Sequence, residues 1–333
     1  MNGVKNYCII CLQEVFSYAG GDFHLKRPII TGYLNFQEII IRNTGYTLDE
    51  NKTVNLTDLK DKTTTSLKLL KANPEGTDIQ QIYIGKANGR YFITGPDSTA
   101  GLRYTLDGGS MILTKHKVIA ASGFTFSDQA GWEAMSNKGA LYARIQIDEN
   151  NSDCYVHVFT THTAAGDATD CRATQLRELI EFMEKCIEDD AKDNKLHPII
   201  LCGDFNIIGA SQEYNNRLKN LAVKNRKLGD LWIGLGKIEE PKKDSATWVG
   251  NDKNTTGTPW GPKNTLARET GDFQRLDYFF IFEGEDAIKL NKKSIDREPD
   301  KQRDKPYKWS GIESYTLSDH LGLKAIFEAN PQK

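Results

Sequence analysis

Seven polar residues in this chain of 333 residues stand where apolar runs stop: Glu14, His162, Asp204, Asn206, Asp277, Asp319 and His320. Carboxylates and a carboxamide are the donors a hard divalent cation takes, and one or two carboxylates suffice for Mg²⁺. Two imidazoles beside such a cation can move protons and stabilise developing charge during hydrolysis. Each residue alone has an ordinary explanation. Glu14 could cap a turn, Asp204 could cap the next segment, and Asp277 could pair with Arg275. His162, inside Thr160-Thr161-His162-Thr163, could be a satisfied strand-end histidine. Ser318-Asp319-His320 could be a capping turn, since Ser and Asp favour turns. Their joint placement is what calls for a common cause.

The elements that must position them are short and apolar. Residues 199–202 (Ile-Ile-Leu-Cys) read as a strand covered on both faces, because the apolar/polar alternation is lost. Gly203 permits a tight exit, and Asp204 and Asn206, two residues apart, can share a side. Residues 7–12 form a second such run, ending in Gln13-Glu14. Further strands are read at 140–147, at 154–161 before His162, at 275–282 around Asp277, and at 315–327 around Asp319-His320. Asn88-Gly89 between two apolar runs is a hairpin signal. Residues 169–190 carry helical periodicity in Leu176, Leu179, Ile180, Met183 and Ile187. Many strands and few helices give an α/β (α+β) four-layer sandwich: two packed, mostly antiparallel sheets flanked by helices, in one domain over 1–333. Within it, 44–80 reads as a polar insertion, 237–271 as irregular loop, and 291–316 as a charged, aromatic loop or hairpin.

Composition narrows the classes. A chain that is 38% hydrophobic and 26% charged can bury a substantial core. No apolar run reaches the roughly 18 residues of a membrane span. The 43 basic and 45 acidic residues leave a net charge of -2, without the basic excess usual for a nucleic-acid binder. Cys8-x-x-Cys11 lacks a second Cys/His pair at zinc spacing. Cys8, Cys11, Cys154 and Cys202 read as buried thiols acting as small hydrophobes, and no disulfide framework is indicated.

The blocks Leu12-Gln13-Glu14, Thr161-His162-Thr163, Gly203-Asp204-Phe205-Asn206, Arg275-Leu276-Asp277-Tyr278 and Ser318-Asp319-His320 resemble those of the endonuclease/exonuclease/phosphatase (DNase I-like) superfamily, in that family's order. Gly95-Pro96, the run from Asp107-Gly108-Gly109 to Lys115 and, above all, Ser136-Asn137-Lys138-Gly139-Ala140 are similar to the neutral, bacterial-type sphingomyelinases. The resemblance implies a Mg²⁺-dependent phosphodiesterase, with Mn²⁺ or Co²⁺ as alternatives. Glu14 would hold the metal with Asp204, Asn206 and Asp319. Asp204 and Asn206 would position the attacking water and a phosphate oxygen. His320 would be the general base or orient the water, with Asp277 fixing its tautomer. His162 would contact the phosphate or protonate the leaving group, and Lys138 would contact the phosphate. Asp319 would orient neighbouring groups or a metal-bound water. The implied substrate is sphingomyelin or a related phospholipid at a membrane surface, cleaved to ceramide and phosphocholine. Trp132 and Trp309 stand in loops suited to the lipid interface. Nucleic acid is disfavoured as a partner, and the chain is expected to be a monomer, cytoplasmic or secreted.

Some features depart from that pattern. The family opens with a strand bearing a metal-site Asn, then a helix, before the Gln-Glu strand. Only thirteen residues precede Glu14 here, so the expected sandwich lacks that first strand, by truncation or by true absence. Tyr18 occupies the place of a further acidic metal site, and Cys171 has no partner for the disulfide of some relatives. A nuclease of the same superfamily, or a non-catalytic binding module, are the competing readings.

Overall fold

Ile, Val, Leu, Phe and Tyr fill the strands, because branched and aromatic side chains suit a pleated surface covered on both faces. The computed structural model describes residues 7–14, 68–69, 80–87, 90–98, 108–131, 136–237, 248–249, 273–298, 307–309, 312–314 and 320–331. In chain order these hold strands Ile9–Leu12 (β1), Lys68–Leu69 (β2), Gln80–Ala87 (β3), Arg90–Ser98 (β4), Ser110–Thr114 (β5), Lys117–Thr125 (β6), Gly139–Gln146 (β7) and Tyr155–His162 (β8). Helices Thr169–Cys186 (α1) and Glu188–Lys192 (α2) come next, followed by Ile199–Asp204 (β9), Ala222–Val223 (β10), Arg226–Lys227 (β11) and Gly229–Asp230 (β12). A short helix, Leu231–Gly234 (α3), is capped by the Asp230 side chain, which accepts from the Trp232 amide. The rest are Trp248–Val249 (β13), Phe273–Gln274 (β14), Asp277–Phe282 (β15), Ile288–Glu298 (β16), Tyr307–Trp309 (β17), Ile312–Ser314 (β18) and Gly322–Pro331 (β19).

Two sheets carry the fold. The smaller runs β1-β5-β4-β3, all antiparallel, with Ala87 paired to Arg90 across the expected Asn88-Gly89 connection. The larger runs β12-β15-β9-β8-β7-β6-β2, with β8 and β9 parallel at its centre. One core layer lies between the sheets, where Ile82, Ile93 and Ile112 meet Leu141, Val156, Val158, Ile200 and Ile281. The other lies under α1, where Leu176, Leu179, Phe182 and Met183 cover Tyr142, Phe159, Leu201, Phe205 and Phe280. Each such side chain taken out of water contributes about 1.5–3 kcal/mol. The central strands thus have both faces covered, which is why their sequences do not alternate.

Several expectations change in detail. β1 is half-buried rather than fully buried, and Cys8 is exposed; all six cysteines are free thiols. The helix expected over 169–190 is α1, with 188–192 forming the separate α2. Of the segment 291–316, residues up to Glu298 belong to β16, which pairs antiparallel with β19, and 307–314 contains the β17–β18 ribbon. Of the polar segment 44–80, Lys68–Leu69 adds a parallel edge strand beside β6, and 44–67 and 70–79 lie outside the described residues.

At the amino end of β9 a buried network ties its start to β8 and α2. The Asp190 carboxylate meets His157 Nε2 at 2.7 Å and His197 Nδ1 at 2.9 Å, and accepts from the Tyr155 hydroxyl at 2.6 Å. Burial alone would raise the Asp190 carboxyl; the bonds from the two histidines outweigh it and hold it well below the usual range. Burial pushes His157 down to about 4.

Candidate active site

Register brings three strand ends to one edge of the large sheet. Parallel pairing of β8 with β9 puts His162 opposite Asp204, and antiparallel pairing of β15 with β9 puts Asp277 opposite Asp204 from the other side. Alternation then fixes the face. Val158 and Ile281 point into the layer between the sheets. Thr160 and His162 follow Val158 on that face, and Asp277 shares it with Ile281. Gly203 lets β9 approach β8 this closely: at φ 144°, a Cβ there would lie 2.0 Å from the Thr161 carbonyl oxygen.

Beyond β9 the chain turns back on itself. Asn206, at φ 48°, gives its backbone N–H to Asp204 Oδ1 at 2.8 Å. Its side-chain amide donates to the Thr163 carbonyl at 3.0 Å and to Asp204 Oδ2 at 3.2 Å. The Thr163 hydroxyl donates to the Phe205 carbonyl, which holds the two chain ends together.

The smaller sheet supplies Glu14, just past β1. Its Oε1 lies 3.7 Å from His162 Nε2, and Asp204 Oδ2 lies 3.6 Å from the same nitrogen. The Glu14 side chain is 56% exposed, whereas Asp204 and His162 are buried. His320, from the bridge before β19, places Nδ1 2.8 Å from Asp277 Oδ2 and Nε2 3.9 Å from Asp204 Oδ2.

The electrostatics follow from burial. Asp204 is pushed up to about 7, first by loss of water and then by the Asp277 charge, with His320 acting against both. His162 is held well below its usual value by burial, by Lys138 and by His320. Lys138 itself is buried, with Nζ 2.9 Å from His162 Nε2 and donating to the Thr163 carbonyl at 3.1 Å.

A divalent cation suits this donor set. One ligand atom each from Asp204, Asp277 and His320 lies within 4.8 Å of the others, and Glu14 and Asp204 both lie beside His162 Nε2. A buried carboxyl driven toward neutrality is a group that a nearby cation would return to its charged form. Both amide hydrogens of Asn206 are already committed, so its carbonyl oxygen is the atom it offers a cation or a water.

The structure thus gathers Glu14, His162, Asp204, Asn206, Asp277 and His320, with Lys138 beside them. Asp319 and Trp132 lie outside the described residues, as does the side chain of Trp309. Arg275 does not pair with Asp277. It is buried on the other side, bonded to Asp230 at 2.8 Å and packed over the Tyr214 and Tyr278 rings, while Asp277 serves His320. Thr163, whose carbonyl anchors both Lys138 and Asn206, carries no signal in its own residue type.

Fold and site place the chain among two-sheet sandwich proteins that gather acidic and imidazole groups at one sheet edge. Residues 3–320 match the model of the Endonuclease/Exonuclease/phosphatase family, and the chain belongs to that family. Its curated relatives include a sphingomyelinase of Dictyostelium discoideum, 26% identical over 75% of this chain and 69% of that protein. A phospholipase C of Staphylococcus aureus is 26% identical over 66% of this chain, which spans 59% of that relative's length. Among solved structures, beta toxin of Staphylococcus aureus aligns with a TM-score of 0.44 and 23% identity, covering 69% of this chain and 71% of the toxin. The resemblance drawn from the five blocks therefore holds at the level of the family, whose members similar to this chain include a sphingomyelinase.

Proposed function

We propose that the chain is a divalent-metal-dependent phosphodiesterase that hydrolyses sphingomyelin, or a related phospholipid, to ceramide and phosphocholine. The observation that carries this reading is the Asp204 carboxyl, which lies beside both the Asp277–His320 couple and the His162 imidazole that Glu14 also borders. Glu14, Asp204 and the Asn206 carbonyl oxygen would hold Mg²⁺, with Mn²⁺ or Co²⁺ as substitutes and Asp319 as a further donor. When bound, the cation would supply Lewis-acid stabilisation of charge on the phosphoryl oxygens.

This chain's own residues do the rest. Asp277 accepts a hydrogen bond from His320 Nδ1–H, which leaves the Nε2 lone pair directed into the site. Nε2 and Asp204 Oδ2, 3.9 Å apart, are spaced to share one water and to take its proton as its oxygen attacks phosphorus. Lys138 brings positive charge toward the phosphate through its contact with His162. His162, with Nε2 2.9 Å from Lys138 Nζ, would contact the phosphate or pass a proton to the departing ceramide oxygen.

The test is an assay of purified protein on sphingomyelin liposomes and on plasmid DNA, with Mg²⁺ and after chelation by EDTA. Phosphocholine release that stops with EDTA and returns with Mg²⁺ is the expected result. DNA cleavage without phosphocholine release would replace the lipid reading with a nuclease. Turnover of neither substrate would favour a binding module.

A further inference from the structure

Glu14 reaches His162 by a route that an ordinary strand would forbid. Ile9 and Cys11 of β1 point into the layer between the sheets. Alternation sends Gln13 to the same side and would send Glu14 to the opposite one. Instead, Glu14 takes φ 58°, a left-handed conformation that a residue with a β carbon adopts only when its surroundings enforce it. That turn returns the Glu14 carboxylate to within 3.7 Å of His162 Nε2. Immediately before it, Gln13 Nε2 donates to Thr160 Oγ1 at 2.7 Å. Thr160 is fully buried on β8, two residues from His162 and on the same face. Gln13 and Glu14, consecutive on the small sheet, thus meet Thr160 and His162, alternate residues of one strand in the large sheet.

We propose that Gln13 and Thr160 form a cross-sheet strut that positions Glu14 as a metal-holding carboxylate. Gln13 fixes the chain one residue before the left-handed turn, where a small rotation would swing the carboxylate away from His162 Nε2. The bond also sets the spacing of the two sheets at their open edge. Gln13 and Thr160 are positioning residues: neither side chain is required to touch the substrate. The inference rests on the metal-dependent reading of the site, and its test reads metal binding directly.

Mn²⁺ is titrated into metal-free protein by calorimetry, for the wild type, Gln13→Leu, Thr160→Val and the double variant. The strut predicts that each single variant binds the ion about tenfold more weakly, the lower end of effects seen when support for a ligand is removed. The double variant should bind no more weakly than the worse single one, because both changes delete one bond. Thr160→Ser, which keeps the acceptor, should bind like the wild type. Thermal melts of the single variants should show one cooperative transition, as in the wild type. Wild-type affinity in Gln13→Leu, or losses that add in the double variant, would overturn the strut. A wild-type protein that binds no divalent ion would overturn the metal-dependent reading itself, and the strut with it.

Discussion

In the proposed mechanism His320 depends on Asp277, whose Oδ2 lies 2.8 Å from Nδ1 and leaves Nε2 toward Asp204. Replacing His320 by Ala should cut phosphocholine release by about 10²–10⁴-fold, the range for a lost proton-transfer group. The ring is part-exposed at the sheet edge, so the melting temperature should stay near that of the wild type. Ordinary activity in that variant would mean the site lies elsewhere. Asp277→Asn keeps the shape and removes the charge, and the expected loss is about 10–100-fold, in kcat rather than KM. The sequence showed these residues because each stands at an end of an apolar run or one residue from it. It could not show the partners: Arg275, two residues from Asp277, was the obvious ion pair, yet the chain faces Arg275 toward Asp230 and Asp277 toward His320. Lys138, which the Ser-Asn-Lys-Gly block suggests as a phosphate contact, could equally be a solvated lysine by sequence; in the structure it is buried against His162 and the Thr163 carbonyl.

At the scale of elements, the site exists because β8 and β9 lie parallel and end together. Gly203 is the residue this pairing depends on. Gly203→Ala would force a Cβ onto the Thr161 carbonyl at a backbone angle that side chains avoid. The expected destabilisation is about 4 kcal/mol, read as a lower urea midpoint; a change under about 1 kcal/mol would mean the strands can part there without cost. The other end of the same pair is held by Asp190, His157 and His197. His157 has a folded value of about 4 against an ordinary 6.5, so the unfolded chain binds the extra proton between those values. Its contribution is complete above about 6.5 and is lost as pH falls through about 4. Asp190, held below the usual carboxylate range, acts in the same direction at lower pH. Thermal melts should therefore show stability falling from about pH 6.5 to 4, by roughly 1.4 kcal/mol for each unit separating the folded and unfolded values. His157→Gln should lose much of this slope, whereas Asp190→Asn, which removes the charge that holds the His157 value up, should be less stable at pH 7 and keep or steepen it; an unchanged slope in the His157 variant would place the acid lability elsewhere. The strands were legible from their apolar runs, but this network was not. A single His inside an apolar run looks like an accommodated core residue, and its partners come from α2 and the following turn.

For the whole molecule, charge bears on the choice between the proposed lipid substrate and the nuclease alternative. With 43 basic and 45 acidic residues, the formal net charge is -2, without the basic excess usual for a nucleic-acid binder. Among the described residues, no helix is long and apolar enough to cross a membrane. Sphingomyelin carries a zwitterionic headgroup, and a near-neutral protein meets such a surface with little counterion release. A protein that neutralises about 6–10 phosphates loses about 10³–10⁵ in affinity between about 50 and 200 mM salt. Sedimentation with sphingomyelin vesicles over that range should instead show the bound fraction changing by less than about twofold, since contact would rest on apolar groups that salt does not screen. Binding to plasmid DNA in the same buffers should be weak at low salt and vanish at the high end. A steep salt dependence on zwitterionic vesicles would show that a local basic face, hidden by the overall balance, draws the protein to its surface. The partner would then be an anionic lipid rather than sphingomyelin itself.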